Sequence, residues 1–216
     1  MITGDDVTVV IPTHPARGTV GNHRSMLWRA VRSVREQTIC PAMTTLVLDT
    51  NREGAAVTRN RGLDLVTTQW VAFLDSDDEL LPNHLKILIE SANLSGADVV
   101  YAGCRVVDGA GQPVRMREEW GRFARAFDGD LLRQFSYLPV TSLVRADLAK
   151  RARFGPPDHD PTSLYDDWGF YLRLLDLHAT FQHIPAITWI WHHHGQNTSG
   201  QPDRGDAAAN EQEKAI

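Results

Sequence analysis

The feature that most restricts how this chain can fold is an alternation of two hydrophobic periods over its first hundred residues, with each apolar run stopping on a polar residue. Val7–Ile11 is a β-branched run ended by Pro12, the pattern of a buried strand that stops abruptly. Leu27, Ala30, Val31 and Val34 then recur at i, i+3, i+4 and i+7, which places them on one face of a helix. Leu46–Leu48 is a second strand ending at Asp49, Gly54–Leu65 a second helix, and Val71–Leu74 a third strand ending at Asp75. Pro82 opens a third helix with Leu85, Leu88, Ile89 and Ala92 inward, and Asp98–Tyr101 is a fourth strand. This β-α-β-α-β-α-β order predicts an α/β fold with a mainly parallel sheet flanked by helices on both faces. Ligands of such sheets bind at the carboxyl ends of the strands. Thr13, His14, Asp49, Asp75 and Asp77 stand at those ends.

The second half is less regular. Turn signals and mixed charge in Gly103–Asp130 suggest a hairpin or loop, and Val140–Val144 reads as a strand. Phe154–Thr162, rich in proline and aspartate, reads as a loop; Trp168, Tyr171, Leu172 and Leu175 mark a helix; Thr180–Ile184 and Thr188–Trp191 are short strands. The 216 residues suffice for one core. A single domain over 1–200 is expected, with 201–216 a polar, alanine-rich, disordered tail.

Charge narrows the partners. With 27 acids against 22 bases the chain carries a net charge of -5 and no polybasic arm, which argues against nucleic acid. No stretch approaches the roughly 18 apolar residues of a membrane span, and Met1–Asp6 is polar rather than signal-like. A cytoplasmic protein without a transmembrane segment is therefore expected. Cys40 and Cys104 follow no metal-ligand spacing and read as a buried, reduced pair.

Asp75-Ser76-Asp77-Asp78 follows the third strand directly. If the chain stays extended there, Asp75 and Asp77 point the same way. Two converging carboxylates repel unless a cation joins them, and hard oxygen ligands favour Mg²⁺ or Mn²⁺. The competing reading is an acidic cap on the following helix, through Asp78 or Glu79.

Five segments in order bring a family into view. Val7–Thr13 resembles the opening strand of family-2 glycosyltransferases of the GT-A (nucleotide-diphospho-sugar transferase) fold, a Rossmann-like architecture. Gly54–Gly62 resembles the helix leading toward that family's metal motif, and Val71–Asp78 its Asp-x-Asp segment. Asp166-Asp167-Trp168 with Leu172-Arg173 is similar to its acidic pair, usually Glu-Asp, ahead of Leu-Arg. His194–Ser199 matches a His-x-x-Asn-x-Ser pattern near the end of the catalytic domain.

The resemblance implies an inverting transferase that moves a sugar from a nucleotide-sugar donor, UDP-sugar favoured, to an acceptor hydroxyl. Residues 1–102 would form the donor-binding half and 103–200 the acceptor and catalytic half. Asp77 would be the principal metal ligand, with Asp75 near the metal or the ribose. Asp49 would contact the nucleobase in a pocket also lined by Pro12, Thr13 and Ser76, and Arg59 would reach the nucleotide. Asp167 would be the general base, and His194 would approach the metal or the diphosphate. His14-Pro15 and Asp49-Thr50-Asn51-Arg52 depart from the usual Tyr-Asn and Asp-Asp-Gly-Ser, which leaves the base undetermined.

Each role has a plain competitor. Asp167 can cap its helix, and Arg59 can pair with Asp64. Adjacent His192, His193 and His194 on a strand point to alternate faces, a poor zinc geometry. Trp189 and Trp191 read as core, and Trp120 as a platform for an acceptor ring. The acceptor, whether glycan, lipid-linked sugar, small molecule or protein, is not specified by the sequence. A GT-A-like module that binds without catalysis is the alternative. A sugar-1-phosphate nucleotidyltransferase would need a glycine-rich loop that Thr13–Gly18 does not supply.

Overall fold

The computed structural model describes residues 1–14, 20–114, 125–163 and 165–193, with backbone alone at 20–23. Its elements run β1 (Val7–Thr13), α1 (Val20–Arg35), β2 (Met43–Leu48), α2 (Ala55–Asp64), β3 (Trp70–Phe73), β4 (Glu79–Leu80) and α3 (His84–Ser95). They continue with β5 (Val99–Asp108), α4 (Gly129–Leu132), β6 (Ser142–Arg145), α5 (Ala146–Ala152), α6 (Asp166–Asp176) and β7 (Phe181–His193).

The strands form one seven-stranded sheet in the order β2-β1-β3-β6-β5-β7-β4. The α/β class and the flanking helices stand, but the sheet is mixed rather than mainly parallel. Three pairings are parallel (β1–β2, β1–β3, β5–β7) and three antiparallel (β3–β6, β5–β6, β4–β7). The cause is β6, which inserts between β3 and β5 and runs against both. Two strands expected at 180–184 and 188–191 are one strand, β7, whose register against β5 shifts around Ala102–Cys104. Pro185 and Ala186, absent from that register, interrupt the alternation that a continuous strand would show. The hairpin expected after residue 103 begins as predicted. Asp108 accepts N–H bonds from Ala110 and Gln112 through Oδ1, and Val107 bridges Pro113.

The sheet separates two cores. On one face Val9 and Ile11 of β1 pack with Ala30, Val31 and Val34 of α1 and Leu85, Leu88 and Ile89 of α3. On the other, Val10 and Phe73 pack with Leu63 of α2, Ala149 of α5 and Phe170 of α6. Gly62 permits this second packing, because a Cβ there would collide with the Val10 side chain. Both cysteines are free, as a reduced pair would be, but neither is fully buried: Cys40 is exposed and Cys104 half-buried.

His84 gives the first core a measurable signature. Its ring is fully buried and shares a 2.9 Å hydrogen bond with Thr188 Oγ1, and burial depresses its pKa to about 3. The unfolded chain then binds the extra proton between pH 6.5 and 3, so this group's contribution to stability is lost as pH falls through that window. The limiting slope is about 1.4 kcal/mol per pH unit. His84→Leu should therefore narrow its stability deficit against wild type as pH drops from 6 to 4, measured by urea unfolding. A deficit independent of pH would contradict a neutral buried imidazole.

Candidate active site

The ends of β1 and β2 are tied together where Thr13 O accepts the Asp49 N–H at 2.7 Å. Pro12, Thr13 and Asp49 are all buried. The Asp49 carboxylate accepts N–H bonds from Glu53 at 2.9 Å and Gly54 at 2.8 Å, folding the loop into α2. Gly54 has φ +96°, a conformation that suits glycine and lets the chain turn into the helix. Burial raises the Asp49 pKa, but the backbone donors outweigh it and hold the carboxyl below its ordinary value. The residue expected at the nucleobase thus also shapes the loop beneath it.

After Phe73 the chain leaves the sheet. Asp75–Asp78 is a turn closed by the Asp78 N–H on Asp75 O at 3.1 Å, not the extended segment expected from alternation. Its carboxylates converge nonetheless: oxygens of Asp75, Asp77 and Asp78 all lie within 4.8 Å of one another. The turn brings in Asp78, which an extended chain would have pointed away. The helix-cap reading fails, since β4 follows the turn and α3 begins only at His84. Three elements hold the turn. Arg29 Nη2 from α1 donates to Asp77 O at 2.6 Å, the His192 N–H from β7 donates to Asp78 Oδ1 at 3.0 Å, and Arg59 from α2 grips Asp75. Glu79, next along, lies 3.4 Å from His192 Nε2. Ser76 is buried within the turn.

Burial, and then Asp77, push the Asp75 pKa upward against the pull of Arg59. Burial, Asp77 and Asp75 push Asp78 well above its ordinary value, opposed by the His192 N–H and Arg29. A cluster of close, partly buried carboxylates that is costly to ionise fits a hard divalent cation such as Mg²⁺ or Mn²⁺, whose charge would relieve the repulsion.

Arg59 joins this cluster to the second acidic site. Only 5% exposed, it donates from Nη2 to Asp75 Oδ1 at 2.6 Å and from Nη1 to Asp166 Oδ2 at 2.7 Å. Its guanidinium carbon lies 5.4 Å from the Phe154 ring centroid. Burial works against its charge, but Asp75 and Asp166 more than compensate and raise its pKa. The alternative partner Asp64 instead pairs with Arg153. Asp166 and Asp167 are the first two residues of α6, and the cap position is Tyr165. Burial and the adjacent Asp166 push the Asp167 pKa up to about 7, while Arg59 and the Trp168 N–H pull it down.

The chain matches the model of "Glycosyl transferase family 2" over residues 44–151, half of its 216 residues. The chain belongs to glycosyl transferase family 2. That match contains the acidic turn and Arg59, whereas Asp166 and Asp167 lie beyond it. Among individual members, the chain is 37% identical over 79 residues to the succinoglycan biosynthesis protein ExoO of Rhizobium meliloti (strain 1021). That stretch covers 37% of this chain and 22% of ExoO. The fold is similar to that of TarS of S. aureus. With TarS 1–349 in complex with UDP-GlcNAc the TM-score is 0.61 at 16% identity, covering 91% of this chain and 60% of TarS 1–349. With its UDP complex the TM-score is 0.62 at 16% identity, covering 87% and 60%. The chain thus spans less than two thirds of either relative.

The structure brings Arg59, Asp75, Asp77, Asp78, Asp166 and Asp167 into one acidic centre and sets Thr13 and Asp49 together at the neighbouring strand ends. His194 and Trp120 lie outside the described residues. Trp189 is core, as expected, and Trp191 packs against it. Sequence reasoning left Arg29 and the Arg59–Asp166 pair unassigned. Their partners lie 48 and 107 residues away, and no local pattern signals them.

Proposed function

We propose that this chain transfers a sugar from a nucleotide-diphosphate sugar to an acceptor hydroxyl with inversion at the anomeric carbon. One observation carries the reading: a single buried guanidinium, Arg59, binds both the acidic turn and the acidic start of α6. Donor and acceptor chemistry need two such carboxylate sites on either side of one reacting carbon. A divalent cation held by Asp75, Asp77 and Asp78 would supply Lewis-acid neutralisation of the diphosphate leaving group. Asp167 takes the proton of the acceptor hydroxyl as that oxygen bonds to the anomeric carbon. The carbon–oxygen bond to the diphosphate breaks, and its electron pair departs with the nucleotide. Arg59 fixes the spacing of the two carboxylate sites. Pro12, Thr13, Asp49 and Ser76 line the donor side. TarS was captured with UDP-GlcNAc and with UDP, which favours a uridine donor here.

No helix among the described residues is long and apolar enough to cross a membrane. The acceptor is to be screened among glycans, lipid-linked sugars, small molecules and proteins. The deciding experiment is thermal unfolding and nucleoside-diphosphate release across nucleotide-sugars, with and without Mn²⁺. A UDP-sugar at 100 times its Kd should stabilise the chain by about 2.7 kcal/mol by mass action, and only with Mn²⁺ present. Release of UDP should follow. Stabilisation with no release against any acceptor would favour a binding module, and stabilisation by no nucleotide-sugar would end the proposal.

A further inference from the structure

The two edges of the sheet are treated differently. At one, β4 is two residues long and carries Glu79, a short, charged edge that resists pairing. At the other, β2 is six residues, Met-Thr-Thr-Leu-Val-Leu, without charge or proline, and among the described residues it pairs only with β1. Its side chains are also unusually open. Leu46 is 50% and Leu48 49% exposed. They pair in register with Ile11 and Thr13, so they project from the face that α1 covers.

Helix α1 does not reach across them. The side chains of Ser33 in α1 and of Gln37 just after it turn toward β4 and the residue that follows it, where Ser33 Oγ accepts the Leu80 N–H and Gln37 Nε2 donates to Leu81 O. By helical spacing Trp28 lies on a different flank of α1 from Ser33, and it is 56% exposed. Trp28, Leu46 and Leu48 are thus open apolar side chains, the two leucines on a strand edge that among the described residues pairs with nothing beyond β1.

We infer that this edge is a dimerisation surface on which a second copy of this chain pairs its β2 antiparallel to the first about a two-fold axis. A free strand edge accepts only extended backbone, and a two-fold axis perpendicular to the sheet brings the same face of both copies together. The open apolar side chains of both copies then meet on one side of the joined sheet, sheltering Trp28, Leu46 and Leu48 of each copy. Charge selects the direction. The end of β2 next to Gly4, where Gly4 O accepts the Ala42 N–H, carries exposed Asp5, and the other end leads to exposed Arg52. Antiparallel pairing sets acid toward base at both ends, whereas parallel pairing sets like against like.

The test is the mass of the whole chain in solution by sedimentation and light scattering over 1–200 µM, roughly the range in which modest interfaces assemble. Wild type should double in mass across that range. Leu46→Lys should remain a monomer with the melting midpoint of dilute, monomeric wild type, and Trp28→Ser should weaken association at least about tenfold. Leu48→Lys serves as the second edge variant should Leu46→Lys fail to fold. Backbone amides of residues 43–48 should exchange more slowly at high protein concentration in wild type only. A monomer at every concentration would overturn the inference, as would a dimer that persists in both lysine variants. Neither outcome bears on donor turnover, which is measured separately.

Discussion

Asp167→Asn should lower the turnover number of donor consumption by about 100- to 10,000-fold, the usual worth of a positioned general base, while leaving donor affinity within about twofold. The asparagine keeps size and polarity but cannot take a proton. On the proposed mechanism the start of α6 serves that task. Asp166 is committed to Arg59, and its charge together with burial pushes Asp167 to about 7. A base with that pKa is half-ionised near neutrality and still strong enough to receive a hydroxyl proton. In the wild type, log kcat should rise with unit slope as pH increases toward about 7 and level off above it, because only the ionised carboxylate acts.

Stability should move the other way. A carboxyl whose folded pKa lies above its unfolded value stabilises the fold at low pH and costs stability as pH rises through the interval between them. Asp167→Asn removes that cost, so at pH 8 it should melt no lower than wild type. A folded variant that keeps near wild-type turnover, or a wild-type profile flat between pH 5.5 and 8, would exclude Asp167 as the base.

How much of this arrangement the sequence discloses depends on the range of the interaction. β1, β3 and the inner faces of α1 and α3 are legible because an apolar run or a helical stripe is a local signal, and Val9, Phe73, Val34 and Leu88 are buried as their spacing requires. The acidic residues at strand ends are legible for the same reason. The shape of the 75–78 turn is not. Whether two carboxylates converge by alternation or by a turn depends on Arg29 and the His192 backbone, which arrive from α1 and β7. The mixed sheet escapes prediction because β6 is four residues long and its place between β3 and β5 is a matter of topology. Arg59 is the sharpest case. Its sequence neighbourhood offers Asp64, on the same helix, yet the fold supplies the buried guanidinium with two carboxylates from Asp75 and Asp166.

Asp77→Asn should have opposite effects in the absence and presence of metal. Its backbone carbonyl accepts a hydrogen bond from Arg29, an anchor that the variant keeps. Without metal, the Asp77 charge is a burden on the cluster, since it helps push both Asp75 and Asp78 upward. Both are acids with raised folded pKa values, which cost stability once pH exceeds their unfolded values. Removing the third charge lowers that cost, and the metal-free variant at pH 7.5 should melt at or above the wild-type midpoint. With Mn²⁺ the order reverses. A divalent site that loses one of three close carboxylates loses much of its affinity, so the stabilisation that saturating Mn²⁺ and donor give the wild type, about 2.7 kcal/mol at 100 times Kd, should fall below detection in the variant. Turnover should fall with it, and raising Mn²⁺ should restore little. Calorimetry in chelator and in Mn²⁺ reads both halves. An Asp77→Asn chain less stable than wild type without metal, or equally stabilised with it, would mean that the three carboxylates are held together by the fold for some purpose other than gripping a cation.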